Sequence, residues 1–476
     1  MQIPEVFELI AHSLSSTCDF FTFLRAVPRL NLSKQFQSIL HLASNVPERL
    51  IYPRFGVADV TIIEMNLEAV KWLLIWNPHI HISQIHHTLL NHLPLFLQSL
   101  TNPISYCALH LELHCVTITQ LHHLTTQHGS QIQSLSIKIH EPRNIPLGKS
   151  SFERLRHAIA ACGKLSLFHL QLDHPAWNGA HLQYIFDYLV ESSIVNFKLC
   201  ISGYRGDSMT NRCSFSLVEW LICVPVISFA WIDPDPTETQ TTPAILRVVH
   251  ALSASKTIKK IDLSLSKALM TTFATLRNKA SPKSMQTLIA EYPYAPESYI
   301  LSLGQRIIFS SITQLDLTWN PSSSIIALVP YLPRLSCLES LNLSHCYLMI
   351  DGSRALAQIL PRIPSLTQLY LTSNDLFDTG ATTISLGVAG CKKLKYLYLN
   401  KNQLTDSSLA RLVLGCRACP TLQHVDISDN LYKNATVRRI HKKADLISKI
   451  CTVVSSFSVD YEPRQSMVVS TATVAV

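Results

Sequence analysis

Between residues 312 and 430 the apolar side chains return in a fixed order. Leu338, Leu341, Leu343, Cys346 and Leu348 mark columns that recur 28 positions later as Leu366, Leu369, Leu371, Asn374 and Leu376, and again as Leu394, Leu397, Leu399, Asn402 and Leu404. A further copy runs through Leu422, Val425, Ile427 and Asn430, and another begins 26 residues before Leu338 with Ile312, Leu315, Leu317 and Asn320. The L-x-L core alternates with a period of two, which predicts a short strand whose leucines point inward. The Asn or Cys column is then the place where a side chain satisfies backbone groups as the chain turns. Ala355, Leu356, Ile359 and Leu360 fall at helical spacing, as do the apolar residues from Leu409 to Leu414, so each unit reads as a strand followed by a helix. No such unit buries its own apolar face, and stacking of neighbours must supply the core.

These columns, L-x-x-L-x-L-x-x-N/C-x-L, resemble the leucine-rich repeat, and the 28-residue period with a helical return is similar to the ribonuclease-inhibitor type. The resemblance implies an α/β solenoid of horseshoe shape. Weaker copies extend upstream at Ile258-Lys-Lys-Ile261-Asp-Leu263, Val226-Ile-Ser-Phe229-Ala-Trp231, Ile194-Val-Asn-Phe197-Lys-Leu199 and Leu167-Phe-His-Leu170-Gln-Leu172. Met285-Gln-Thr-Leu288-Ile-Ala290 lies midway between Ile258 and Ile312 and reads as a degenerate copy. Ile132 to Ile137 and Tyr106 to Leu111 carry the array back to about residue 100, so residues 101–436 form the expected repeat region, clearest over 312–432. Asp233 to Pro243, rich in proline, reads as an inserted loop.

The composition agrees with extensive burial: 47% of the residues are hydrophobic and 15% charged, below the roughly 25% usual for soluble domains. A net charge of +8 is small for 476 residues and spread along the chain, which does not favour nucleic acid as a partner. No apolar run reaches the ~18 residues of a membrane span, and Met1 to Glu5 has neither a basic nor an apolar leader region, so no membrane is expected and the expected location is cytoplasmic or nuclear. Thirteen scattered cysteines fit reduced, buried thiols.

Ahead of the repeats, Ile3-Pro4-Glu5-Val6 opens an apolar helical face through Leu9, Ile10 and Leu14, and a second apolar helix covers Phe20 to Val27. Residues 1–45 resemble an F-box through Pro4, Val6, Leu9, Ile10, Leu14, Leu24, Val27 and Arg29. They depart from its pattern where Glu5 follows Pro4 directly and where Pro28 stands. The tryptophan usual after the basic residue is also missing. That resemblance implies a small all-helical head docking a Skp-type adaptor through Pro4, Val6, Leu9, Ile10, Leu14, Leu24 and Val27. The repeats would then select a protein substrate for a cullin-RING (SCF-type) ubiquitin ligase. The alternative is a non-enzymatic repeat scaffold or inhibitor whose N-terminal helices only cap the solenoid. Residues 46–100 read as helices connecting head to array, and 437–476 as a basic cap edge followed by a loose tail.

The chain offers little for catalysis, metal or cofactor. His79, His81, His86, His87 and His92 are dense but lack a companion motif with ligand spacing. Cys416-Arg-Ala-Cys419 has no second pair, and Gly148-Lys149-Ser150 has Arg143 where a phosphate loop needs glycine. Arg205-Gly206-Asp207-Ser208 reads as a turn. No nucleophile, base and stabiliser converge, so the chain reads as a non-enzyme. Function is therefore expected on the residues between the inward leucines, which line the concave face: Asp262, Asp316, Asn342, Tyr370, Tyr398 and Asp426. Gln368 and Tyr396 stand one column over, and Trp319, His345 and Lys401 at the strand exits. Paired tyrosines among acids make a plausible contact patch for a basic partner.

Overall fold

In a computed structural model the described residues are 108–432, apart from 142–148, 174–178, 203–208, 234–240, 277–280 and 294, together with 55–57, 79–85 and a few isolated positions. Apart from Gln37, Ile39 and Leu40, the expected head at 1–45 falls outside them, as does the tail at 437–476. The chain divides into two compact units: residues 1–293 with 302–312, and residues 294–301 with 313–476.

Among the described residues the first unit carries nine strands: β1 (Phe55–Val57), β2 (His79–Ile85), β3 (Ala108–Val116), β4 (Ile132–Ile139), β5 (Leu167–Asp173), β6 (Asn196–Ser202), β7 (Ser228–Ile232), β8 (Lys260–Asp262) and β9 (Thr287–Ile289). Each pairs in parallel with the next. Helices α1 (Ile118–His128), α2 (Lys149–Ala160), α3 (Gly179–Glu191), α4 (Asn211–Cys223), α5 (Pro243–Ala254) and α6 (Lys267–Thr275) make the returns, each packed on its successor. Their starts are encoded locally. Thr117 and Gln120 form a capping box at α1, and the Thr210 and Thr242 hydroxyls accept from the Cys213 and Ile245 N–H groups at α4 and α5. Pro243, read as loop, is instead the first residue of α5, a position that suits its fixed φ.

The upstream copies look weak because aromatic rings replace leucines without changing the geometry. Leu135, Phe168, Phe197, Phe229, Ile261 and Leu288 occupy one ladder position, so the copies read with Leu170 and Leu109 in this column are two residues out of register: Phe168 pairs with Phe197 and Leu111 with Leu135. Phe197 packs edge-on to Phe186 and Trp220 at 6.2 and 5.9 Å, and the Trp220 indole donates to the Ile194 carbonyl at 2.9 Å, so burying it leaves no polar group unmet. The expectation of helices throughout 46–100 needs correction. His79-Ile80-His81-Ile82 alternates with the strand period, Ile80 and Ile82 are buried, and β2 continues the ladder through His81 opposite His110.

The second unit holds β10 (Gln314–Asp316), β11 (Ser340–Asn342), β12 (Gln368–Tyr370), β13 (Tyr396–Tyr398) and β14 (His424–Asp426), parallel and in the register that the leucine columns predict. Helix α7 (Glu297–Ile307) contains the division between the units, and α8 (Ser322–Leu328), α9 (Met349–Ile359), α10 (Phe377–Ala389) and α11 (Asp406–Arg417) follow. The last three pack closely because small residues face each other: a Cβ on Gly387 would lie 2.5 Å from the Ala357 carbonyl oxygen. Leu414, expected on the buried face of its helix, is 65% exposed, and Leu412 is buried instead.

Candidate partner-binding face

The turn column shows what each repeat spends on its own architecture. Asn402 Oδ1 accepts from the backbone N–H groups of Asn374 (2.8 Å) and Leu376 (3.4 Å) in the preceding repeat, and its Nδ2 donates to the carbonyls of Leu371, Leu399 and Asn400. Asn374 and Asn430 bond in the same way. Cys346 breaks the ladder. Its thiol donates to the Leu317 carbonyl at 3.2 Å, and the Asn320 N–H turns back to that same carbonyl, also at 3.2 Å.

A second structural motif occupies the central strand column. Asp316 Oδ1 accepts from the N–H and hydroxyl of Thr318, Asn342 Oδ1 from those of Ser344, and Asp426 Oδ1 from the N–H of Ser428. Each closes an Asx turn at the strand end. Asp262 makes the same bonds to Ser264 in the first unit and is 1% exposed, so it is removed from the expected contact face. Asn342 also donates to Asp316 Oδ2 at 3.2 Å.

Tyr370 and Tyr398 stand in that column and make no such turn. Thr372, two residues after Tyr370, donates its hydroxyl to Asn400 of the next repeat instead. The two rings are stacked, with centroids 4.4 Å apart and planes within 1°, and His424 leans on Tyr398 at 5.6 Å and on Tyr396 at 6.3 Å. The Tyr370 hydroxyl donates to Gln368 at 3.0 Å, which brings Gln368 into the cluster. Burial pushes the Tyr398 phenol above its ordinary range, an effect the hydrogen bond to Tyr370 opposes and the Asp426 charge reinforces. The Tyr398 phenol therefore stays neutral near physiological pH. At the strand exits Trp319 stacks on His345 at 4.3 Å. Burial, and secondarily Lys401, lowers the His345 pKa and so favours the uncharged imidazole.

The second unit thus brings Gln368, Tyr370, Tyr396, Tyr398 and Asp426 together with His424, which the register would have supplied opposite Tyr396. Trp319, His345 and Lys401 form a separate group at the strand exits. Pro4, Val6, Leu9, Ile10, Leu14, Leu24 and Val27 lie outside the described residues. Among the described residues no group of three or more His, Cys, Asp or Glu is placed to hold a metal, and Cys416 and Cys419 are buried, unbridged thiols. No described helix is long and apolar enough to cross a membrane.

Residues 362–385 and 390–413 match the family model for the leucine-rich repeat. The chain carries leucine-rich repeats built as an α/β fold on a parallel sheet. It is similar, at 16% identity and a TM-score of 0.38, to the leucine-rich repeat-containing protein LegL7 from Legionella pneumophila, over 68% of this chain and 91% of that one. No curated protein matches the chain in sequence.

Proposed function

We propose that the chain is a non-catalytic binding protein that holds a protein partner on the sheet face around Tyr370 and Tyr398. One observation carries this reading: two adjoining repeats replace the residue that closes the strand in their neighbours with stacked, half-buried tyrosines. Tyrosine presents a large rigid surface with a polar tip, the type of side chain that dominates binding at protein interfaces. Asp426 at the edge of the stack favours a basic group on the partner. The test is affinity purification with the full-length chain and with Tyr370→Ala/Tyr398→Ala. A partner whose recovery falls at least about tenfold, with thermal stability retained, supports the reading, because interface anchors of this kind are worth that much or more. Equal recovery by both forms refutes it.

Within that role, the finer proposal is a substrate receptor of a cullin-RING ligase, which rests on the F-box resemblance of residues 1–45. It is tested by direct binding to a Skp-type adaptor, with Leu9→Ser/Leu14→Ser as the control and circular dichroism to monitor folding. No binding by the intact chain leaves the repeat scaffold as the reading.

A further inference from the structure

The strand-to-helix turns of the second unit expose apolar side chains that neither the repeat core nor the tyrosine face uses. Tyr347, Met349 and Phe377 are 54, 50 and 42% exposed, and all three adopt left-handed backbone with φ of +51°, +49° and +51°. The repeat imposes this conformation, since the Met349 N–H donates to the Asn374 carbonyl and the Phe377 N–H to the Asn402 carbonyl, each at 3.1 Å. Glycine meets such a demand without strain. A bulky apolar residue there is unfavourable twice, once in backbone sterics and once in exposed apolar surface, and both features concentrate at sites of binding.

The surroundings specify what would cover it. Tyr347 borders an open depression of about 400 Å³ that Leu431, Asp375, Asp429 and Lys401 also line. The first turns of α9, α10 and α11 add Asp351, Asp378 and Asp406. Hydrogen bonds from Thr405 and Ser407 keep Asp378 ionised. Arg354 and Asp351 pair at 3.0 Å and cancel, which leaves Lys401 against Asp375, Asp378, Asp406 and Asp429, so this rim is negative in a chain that is positive overall. Such a rim repels nucleic acid and anionic lipid headgroups.

We propose that this rim is a second docking surface, separate from the tyrosine face, for a protein segment presenting an apolar anchor beside lysine or arginine. The test applies labelled full-length chain to a peptide microarray of apolar-basic, apolar-acidic, apolar-neutral and polar-basic sequences. Retention by the apolar-basic class is expected, falling at least about tenfold in Met349→Gly/Phe377→Gly and also in Asp429→Lys, but not in Tyr370→Ala/Tyr398→Ala. The glycine variant should melt no lower than its parent, because glycine relieves the positive φ. Retention across all classes, in none, or undiminished in both rim variants overturns the proposal. So does concentration-dependent self-association that the rim variants abolish, which would make the occupant a second copy. If the glycine variant fails to fold, Asp429→Lys decides alone, and unchanged retention overturns the proposal.

Discussion

Replacing Asn402 with alanine measures what holds the repeats in register. Asn402 is fully buried, and its Oδ1 is the acceptor for two backbone N–H groups of the preceding repeat, at 2.8 and 3.4 Å. Alanine leaves both donors in a site closed to water. An unmet buried donor costs ~1–3 kcal/mol, and the longer bond counts at the low end, so Asn402→Ala should destabilise by about 2–4 kcal/mol. The Leu371, Leu399 and Asn400 carbonyls lose a donor as well, with smaller effect because each keeps a second lone pair. Asn402→Cys installs the residue that Cys346 supplies two ladder positions upstream. Its thiol donates weakly and replaces none of the acceptor function, so its loss should fall about 1 kcal/mol short of that of alanine. The assay is urea denaturation followed by circular dichroism, with exposed Gln423→Ala as a control expected within about 0.5 kcal/mol of the parent. A loss under about 0.5 kcal/mol for Asn402→Ala, or a cysteine variant less stable than the alanine one, would refute the ladder account.

Gly387→Ala drives a Cβ to 2.5 Å from the Ala357 carbonyl, a backbone atom that cannot swing away, and should cost about 1–3 kcal/mol by the same denaturation assay. Burial acts to raise the Asp378 pKa, but hydrogen bonds from Ser407 and Thr405 outweigh it and hold the carboxyl at about 2. A depressed folded pKa stabilises fully above the unfolded value near 3.8, and the benefit disappears as pH falls toward 2; Asp378→Asn should therefore flatten the acid limb of a stability-pH curve over that window. Iodoacetamide at about pH 8 should label exposed Cys115, Cys223 and Cys337 in the folded chain. It should spare Cys162 and Cys391, whose thiols burial pushes up to about 12, as mass spectrometry of the alkylated peptides would show.

The register of the second unit was legible because leucine marks the inward strand positions of all but the last copy, where Val425 and Ile427 replace it, and the 28-residue period holds over four copies from Leu338 to Leu422. Upstream, the same geometry was obscured where Phe168, Phe197 and Phe229 fill the leucine column, since ring and leucine bury comparably and only the pattern suffers. The strand at His79 was hidden differently: its histidines drew attention as ligands while their alternation with isoleucine was the informative feature. The tyrosine stack followed directly from register. The structural duty of Asp262, Asp316, Asn342 and Asp426 did not, although an Asp or Asn that can accept from the backbone N–H two residues on, at Ser264, Thr318, Ser344 and Ser428, is the Asx-turn signature. The apolar rim left no trace in the sequence, because a left-handed turn without glycine has no local marker.

This division of labour suggests a substitution that separates binding from folding at Tyr370. Tyr370-Leu371-Thr372 differs from Asp316-Leu317-Thr318 only at its first residue, so Tyr370→Asp should recreate the turn in which Asp316 accepts from the Thr318 N–H and hydroxyl at 3.0 and 2.6 Å. The Thr372 hydroxyl would only exchange Asn400 for the new carboxylate, so the net gain is the N–H bond, worth ~0.5–1.5 kcal/mol, against ~0.5–1.5 kcal/mol of stacking lost with the ring. The terms nearly cancel, and the variant should stay within about 1 kcal/mol of the parent while losing the partner proposed for the Tyr370–Tyr398 face. A melting loss of several degrees would show that the pair serves the sheet, as cross-strand aromatic pairs do elsewhere. Retained stability with lost binding would show that these two repeats gave up a structural turn for a contact surface.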